Sequence, residues 1–220
     1  MPDSSSRAEI AVLPGAGSAG LVWQEAASAL GARVLPLPDL DSVPAMAEAL
    51  LPSLQGRPVL VGASAGALVA LEVARRRPVA ALVLVAAGFG IEVGDAFLSW
   101  VREAPADLFP KMARASIADR SNASALAAAV ADFEARGADV SYRHLCALRA
   151  YRPEPLPDPP PTAVLWGVLD HSVPLADHAE LAAQCRGVLI PIPGAGHMPF
   201  LEQPEETVRW IRSFLEWRLS

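Results

Sequence analysis

Six short apolar runs punctuate the chain: Glu9 to Leu13, Arg33 to Leu37, Pro58 to Val61, Ala81 to Val85, Ala163 to Trp166 and Val188 to Ile192. Each is too short for a stable helix, and near-continuous apolar character suits a strand covered on both faces. Between them lie stretches with helical patterning: Leu21 to Leu30, Val43 to Leu54, Ala65 to Arg77, Pro174 to Cys185 and Pro204 to Leu219. In the last, Val208, Ile211 and Leu215 fall on one face, and Pro204 stands where a helix start accepts proline. Strands alternating with helices predict an α/β fold: a mostly parallel sheet flanked by helices.

The alternation breaks between Gly88 and Pro161. This stretch is helical in pattern and richer in large apolar residues, including Phe89, Phe97, Trp100, Phe109, Tyr142 and Tyr151. It reads as a helical cap, residues 88–161, inserted into a single domain of residues 1–220. The cap ends in Arg152-Pro153-Glu154-Pro155-Leu156-Pro157-Asp158-Pro159-Pro160-Pro161, a stiff, extended strap. Arg75-Arg76-Arg77 closes the helix that starts after Ser64, where cations suit the helix dipole and water solvates them.

Composition narrows the classes. A chain of 220 residues buries roughly 70% of its unfolded surface as one domain, without needing disulfides or metals. The net charge of −6, from 24 acidic and 18 basic residues, comes without a basic stripe, which argues against nucleic acid as a partner. Cys146 and Cys185 lie far apart in helical segments and read as reduced, structural thiols. The polar start, Met1 to Ala8, lacks the apolar stretch of a signal peptide, and no run approaches a membrane span. A soluble, cytoplasmic chain is expected, with no membrane partner.

The chemistry begins at Gly62-Ala63-Ser64-Ala65-Gly66, where a strand gives way to a helix. A serine at such a turn is held in strained geometry with its hydroxyl above the sheet, and small neighbours let strand and helix pass closely. Serine needs a base, and neutral imidazole suits that task near neutral pH. Of the four histidines, His144 and His178 lie in helical segments as surface or packing residues, and His171 follows Asp170. His197 stands in the loop Pro193 to Phe200, at the carboxyl end of the last strand, where active sites of parallel sheets collect. Asp170, just past another strand, is the group expected to orient it, with Asp95 and Glu92 as fallbacks. The loop Leu13 to Gly20 follows the first strand, and the N–H groups of Ala16 and Ala65 are the expected pair for an oxyanion. No metal-ligand spacing occurs, and the chemistry calls for no cofactor.

That same loop fits a second pattern. Gly15-x-Gly17-x-x-Gly20, after a strand and before a helix, is the spacing of a dinucleotide fingerprint, and Asp39 supplies an acidic residue near the place that fingerprint needs. Nucleotide binding leaves the Ser64, Asp170 and His197 loops without a purpose.

Three spaced segments, Gly62 to Gly66, Trp166 to Pro174 and Gly196 to Pro204, present Ser, Asp and His in that order. Through them the chain resembles the α/β-hydrolase superfamily over nearly its whole length, and within it small carboxylesterases. The resemblance implies a serine nucleophile at Ser64, Asp170 and His197 as relay partners, and Ala16 with Ala65 as oxyanion donors. The function it implies is cleavage of a carboxylic ester through an acyl-enzyme, on a small-molecule or acyl-carrier-linked substrate. Phe97, Trp100 and Phe109 are candidates for an apolar acyl pocket. The same triad would serve a carbon-carbon bond hydrolase, a thioesterase or a lyase, and the same scaffold a non-catalytic small-ligand receptor. Two departures stand out. Pro14-Gly15 occupies the place of the family's usual His-Gly, and the chain starts at what corresponds to the family's third strand. The second predicted strand then becomes a sheet edge, a position suited to Pro36 and Pro38.

Overall fold

A computed structural model describes residues 8–220; the polar start, apart from Ala8, lies outside the described residues. Among the described residues six strands form one sheet: β1 (Ile10–Leu13), β2 (Arg33–Val34), β3 (Val59–Ala63), β4 (Ala81–Val85), β5 (Thr162–Gly167) and β6 (Val188–Ile192). Their spatial order is β2-β1-β3-β4-β5-β6, and every neighbouring pair is parallel. The sheet is thus parallel throughout, and the six runs read from sequence are its six strands. The helices are α1 (Gln24–Leu30), α2 (Val43–Leu50), α3 (Ala65–Arg76), α4 (Asp95–Glu103), α5 (Leu108–Ser116), α6 (Ala123–Arg136), α7 (Ala138–Ala150), α8 (Leu175–Gln184), α9 (Pro199–Glu202) and α10 (Pro204–Leu219).

Residues alternate strictly across the sheet because successive strand side chains point to opposite faces. Leu60, Leu82, Leu84 and Val164 join a core built with α2, α3 and α8. Val61, Val83, Val85 and Leu165 join the opposite core, with α1 and α10. Covering both faces is what made the strands read as unbroken apolar runs. On α10 the buried face is Thr207, Val208, Ile211 and Phe214; Leu215 is only half-buried.

β2 is shorter than its apolar run. Leu35 still donates to the Val12 carbonyl at 2.8 Å, but Pro36 has no N–H to continue the ladder. Among the described residues the strand pairs with β1 alone, so it forms the edge expected of it. β6 is the other edge, and it too carries a proline, Pro191.

Four helices, α4 to α7, fill the interval between β4 and β5. The proline-rich return is fastened to α3 rather than merely stiff. Arg75 Nη2 donates to the Glu154 carbonyl at 3.1 Å and pairs with its carboxylate at 2.9 Å. The Tyr151 hydroxyl donates to Glu72 Oε2 at 2.6 Å. The three arginines therefore do more than face water: Arg76 pairs with Glu72 and Glu48, and Arg77 reaches the carbonyls of Leu54 and Gly56.

Cys185 is buried, which pushes its thiol up to about 11; both cysteines are free. Among the described residues, no helix is long and apolar enough to cross a membrane.

A Cβ on Gly66 would run into the carbonyl oxygens of Leu13 and Pro14, whereas one on Gly94 meets nothing within 4 Å. Gly66→Ala is therefore expected to cost about 1–3 kcal/mol or more, and Gly94→Ala close to none. Urea unfolding of the two variants checks this, and equal midpoints would refute it.

Candidate functional site

The chain passes from β1 outward to β2 and then returns to place β3 on β1's other side, so the sheet reverses its order between β1 and β3. A crevice opens at the carboxyl ends of strands on either side of such a reversal. Ser64 follows β3 and the loop Pro14 to Gly20 follows β1, so both stand at that crevice.

Ser64 has φ 49° and ψ −115°, a left-handed backbone that costs a non-glycine residue about 1–3 kcal/mol. Its N–H donates to the Val85 carbonyl at 2.9 Å, and its own carbonyl accepts from Ala67 at 3.0 Å. The flanking glycines are required sterically. A Cβ on Gly62 would strike the backbone of Gly66 and Ala67, and one on Gly66 the end of β1. A Cβ on Gly15 would lie 3.5 Å from Ser64 Cβ, which shows how close the β1 loop comes to the serine. The Ala65 N–H occupies the first position of α3, beyond the reach of any helical carbonyl. The Ala16 N–H has no acceptor within the described residues.

Asp170 and His197 meet across the ends of β5 and β6. Asp170 Oδ2 accepts from His197 Nδ1 at 2.8 Å, which leaves the ring's Nε2 for the crevice. Asp170 Oδ1 accepts from the backbone N–H groups of Ser172 and Val173, at 2.7 and 3.1 Å. Burial works against this carboxylate, but the bond from His197 and the two backbone donors hold it below the usual aspartate range. Asp95 pairs instead with the exposed Arg149. His171 is exposed.

Glu202 on α9 holds the histidine loop. Its Oε1 accepts from Gly196 and Met198, at 2.9 and 3.2 Å, and its Oε2 accepts from Ala118 at 2.7 Å. The His197 N–H donates to the Ser116 carbonyl at 2.8 Å. Sequence reasoning passed over Glu202, although a carboxylate five residues after a loop histidine was visible there.

Two further residues, from the helices between β4 and β5, grip the β1 loop. His144 on α7 is 1% exposed; its Nδ1 accepts from the Gly17 N–H at 3.2 Å and its Nε2 lies 2.9 Å from the Pro38 carbonyl. Burial pushes this imidazole below its ordinary value. Asp132 on α6, fully buried, accepts from the Leu21 N–H at 2.6 Å, and burial raises its carboxyl. The turn where a dinucleotide phosphate would dock thus already faces a carboxyl group of the protein, against the fingerprint reading of Gly15, Gly17 and Gly20. His178 is likewise buried rather than on the surface, donating through Nδ1 to the Pro174 carbonyl at 3.0 Å.

A cavity of about 610 Å³ opens over Ser64, Ala16 and His197. Phe97 and Trp100 line it together with Leu145, Leu148 and Met198. Phe109 does not: it stacks against Phe133, ring centroids 6.4 Å apart. Among the described residues, no group of three His, Cys, Asp or Glu side chains is placed to hold a metal. A serine beside two backbone N–H groups, with a carboxylate-bound imidazole on the same cavity, can attack a carbonyl and stabilise the oxyanion formed.

A sequence profile described as the alpha/beta hydrolase family matches residues 10–210. Solved structures share the fold. A thermophilic esterase is 25% identical, with 96% of this chain and 91% of that chain covered and a TM-score of 0.86. The enol-lactonase from Burkholderia xenovorans LB400 is 18% identical, covers 97% and 94%, and has a TM-score of 0.83. The type II thioesterase BorB from the borrelidin biosynthetic cluster is 20% identical, covers 98% and 95%, and has a TM-score of 0.70. A comparison with curated protein sequences gives no match.

Glu202→Gln would turn an amide NH2 toward a backbone N–H that the carboxylate now satisfies. The expected loss of stability is about 1–3 kcal/mol, measured by urea unfolding; an unchanged midpoint would show that the carboxylate does not secure the loop.

Proposed function

The chain belongs to the alpha/beta hydrolase family, and from that premise we propose that it cleaves carboxylic esters with Ser64 as nucleophile, His197 as base and Asp170 as its orienting partner. The observation that carries this reading is the 2.8 Å hydrogen bond between Asp170 and His197, facing a cavity that Ser64 also lines.

Asp170 binds Nδ1, so the neutral ring holds its proton there and presents Nε2 as the base. Nε2 takes the Ser64 proton as the hydroxyl oxygen attacks the ester carbonyl. The carbonyl oxygen, now negative, receives the N–H groups of Ala16 and Ala65. His197 then returns the proton to the departing alcohol, leaving the acyl group on Ser64. Water enters and adds to the acyl carbon as His197 takes its proton; the second tetrahedral species then breaks its bond to the Ser64 oxygen, His197 returns the proton to that oxygen, and the free acid leaves. The anionic Asp170 stabilises the imidazolium in both halves.

Residues 88–161 serve as a cap over this site. The acyl group lies against Phe97 and Trp100, and the apolar walls favour small-molecule esters with short or medium hydrocarbon acyl chains.

Ser64→Ala is expected to abolish turnover of p-nitrophenyl butyrate and labelling by a fluorophosphonate; substantial residual turnover would remove Ser64 from its role. Asp170→Asn should lower kcat by about 10³–10⁴-fold. The sign of the pH dependence follows from Asp170. Its carboxyl is held below the usual range, so it stays ionised at weakly acid pH. On the acid side kcat/KM should therefore fall with a slope of no more than one, because Asp170 takes up no proton there. A slope of two across that limb would contradict the assignment.

A further inference from the structure

Among the described residues, no backbone hydrogen bond ties Ala16 or Gly17 to the sheet that their loop leaves. The peptide between Ala16 and Gly17 is followed by a glycine at φ 67°, and glycine tolerates either sign of φ at little cost. That peptide could therefore turn over, exchanging the directions of the Ala16 carbonyl and the Gly17 N–H, unless something selects one orientation.

His144 is placed to make that selection. Its Nδ1 accepts from the Gly17 N–H at 3.2 Å while its Nε2 lies 2.9 Å from the Pro38 carbonyl. A carbonyl can only accept, so Nε2 carries the proton and Nδ1 keeps its lone pair. In the turned-over peptide the Ala16 oxygen would face that lone pair and be repelled. Pro38 itself is held in place, because its neighbours are tied to the same helices. The Leu37 carbonyl accepts from Arg136 Nη2 at 2.7 Å, and Asp39 accepts two bonds from Arg143, at 2.6 and 2.7 Å. Ser141, one turn before His144 on α7, closes over Gly17 so tightly that a Cβ there would collide with it. Leu145 and Leu148 continue along α7 into the cavity wall.

We propose that His144 is a positioning residue for cleavage at Ser64: by holding the Gly17 N–H it pins the loop at the residue after Ala16 and so fixes the place of the preceding Gly15–Ala16 peptide, whose N–H is the oxyanion donor. The proposal rests on the ester-cleaving reading above. It makes α7 part of the oxyanion apparatus as well as a wall of the pocket, so any opening of the cap that shifts α7 also disarms the site.

The test compares His144→Phe, which keeps the ring volume but has no acceptor, with His144→Gln, whose amide can accept from Gly17 and donate to Pro38. In His144→Phe, kcat for p-nitrophenyl butyrate should fall by about 10- to 100-fold with KM changed by less than about threefold, a loss somewhat smaller than removing an oxyanion donor outright. Gln should restore kcat to within about threefold of wild type. Amide hydrogen exchange at Gly17 should accelerate by at least about tenfold in Phe and not in Gln. Nitrogen NMR of the wild-type ring should show the Nε2–H tautomer. Phe and Gln variants with equal kcat, an unmoved Gly17 exchange rate in Phe, or the Nδ1–H tautomer would each overturn the proposal, and the tautomer needs no variant to fold. Fluorophosphonate labelling of the wild type separates the two levels. Absence of labelling sinks the ester reading, whereas labelling together with wild-type kcat in His144→Phe sinks only the role given to His144.

Discussion

The site depends on how closely the start of α3 approaches the end of β1. Gly66 sits against the carbonyl oxygens of Leu13 and Pro14 with no room for a methyl group, and Gly62 sits equally close under the first turn of the same helix. These two contacts let α3 begin almost on top of the sheet. Ser64, between them, is forced into a left-handed backbone and lifted beside the loop that leaves β1. Parallel strands bring loop ends to one rim; the glycine contacts bring two of those loops within reach of one another.

A second close approach fixes the other half. A side chain on Gly167 would collide with the Gly196 carbonyl, so the end of β5 and the histidine loop can meet only because residue 167 is glycine. Asp170 divides its two oxygens between its own turn and His197. The turn is thereby rigid before the imidazole is engaged. Glu202 does the corresponding work on the histidine side, where one carboxylate gathers three backbone N–H groups from two segments. Buried polar groups of this kind are costly unless satisfied, and once satisfied they specify a single arrangement.

The segment between β4 and β5 was legible as helical from its patterning, and its aromatic content suggested a pocket wall. Phe97 and Trp100 lie on the cavity, while Phe109 turns inward to Phe133. A periodic pattern identifies which residues are apolar without telling which apolar surface each one meets. His144 and Asp132 illustrate the same point for polar residues. Nothing within several residues of either marks it as more than a helix position, yet each reaches more than a hundred residues back along the chain to grip the β1 loop.

The sequence by itself determined the six strands, the order Ser, Asp, His and the rim at which these residues gather. Alternation, glycine and proline act over a few neighbouring residues, and a parallel sheet converts strand ends into a common edge. It also foretold the edge character of β2, because a proline without an N–H ends a ladder wherever it falls. Only the tertiary structure decided that the sheet is parallel throughout, that Asp170 rather than Asp95 meets His197, and that α6 and α7 hold the loop bearing Ala16. Those outcomes rest on contacts between residues distant in sequence, whose partners are selected when whole surfaces pack and buried hydrogen bonds must be satisfied together.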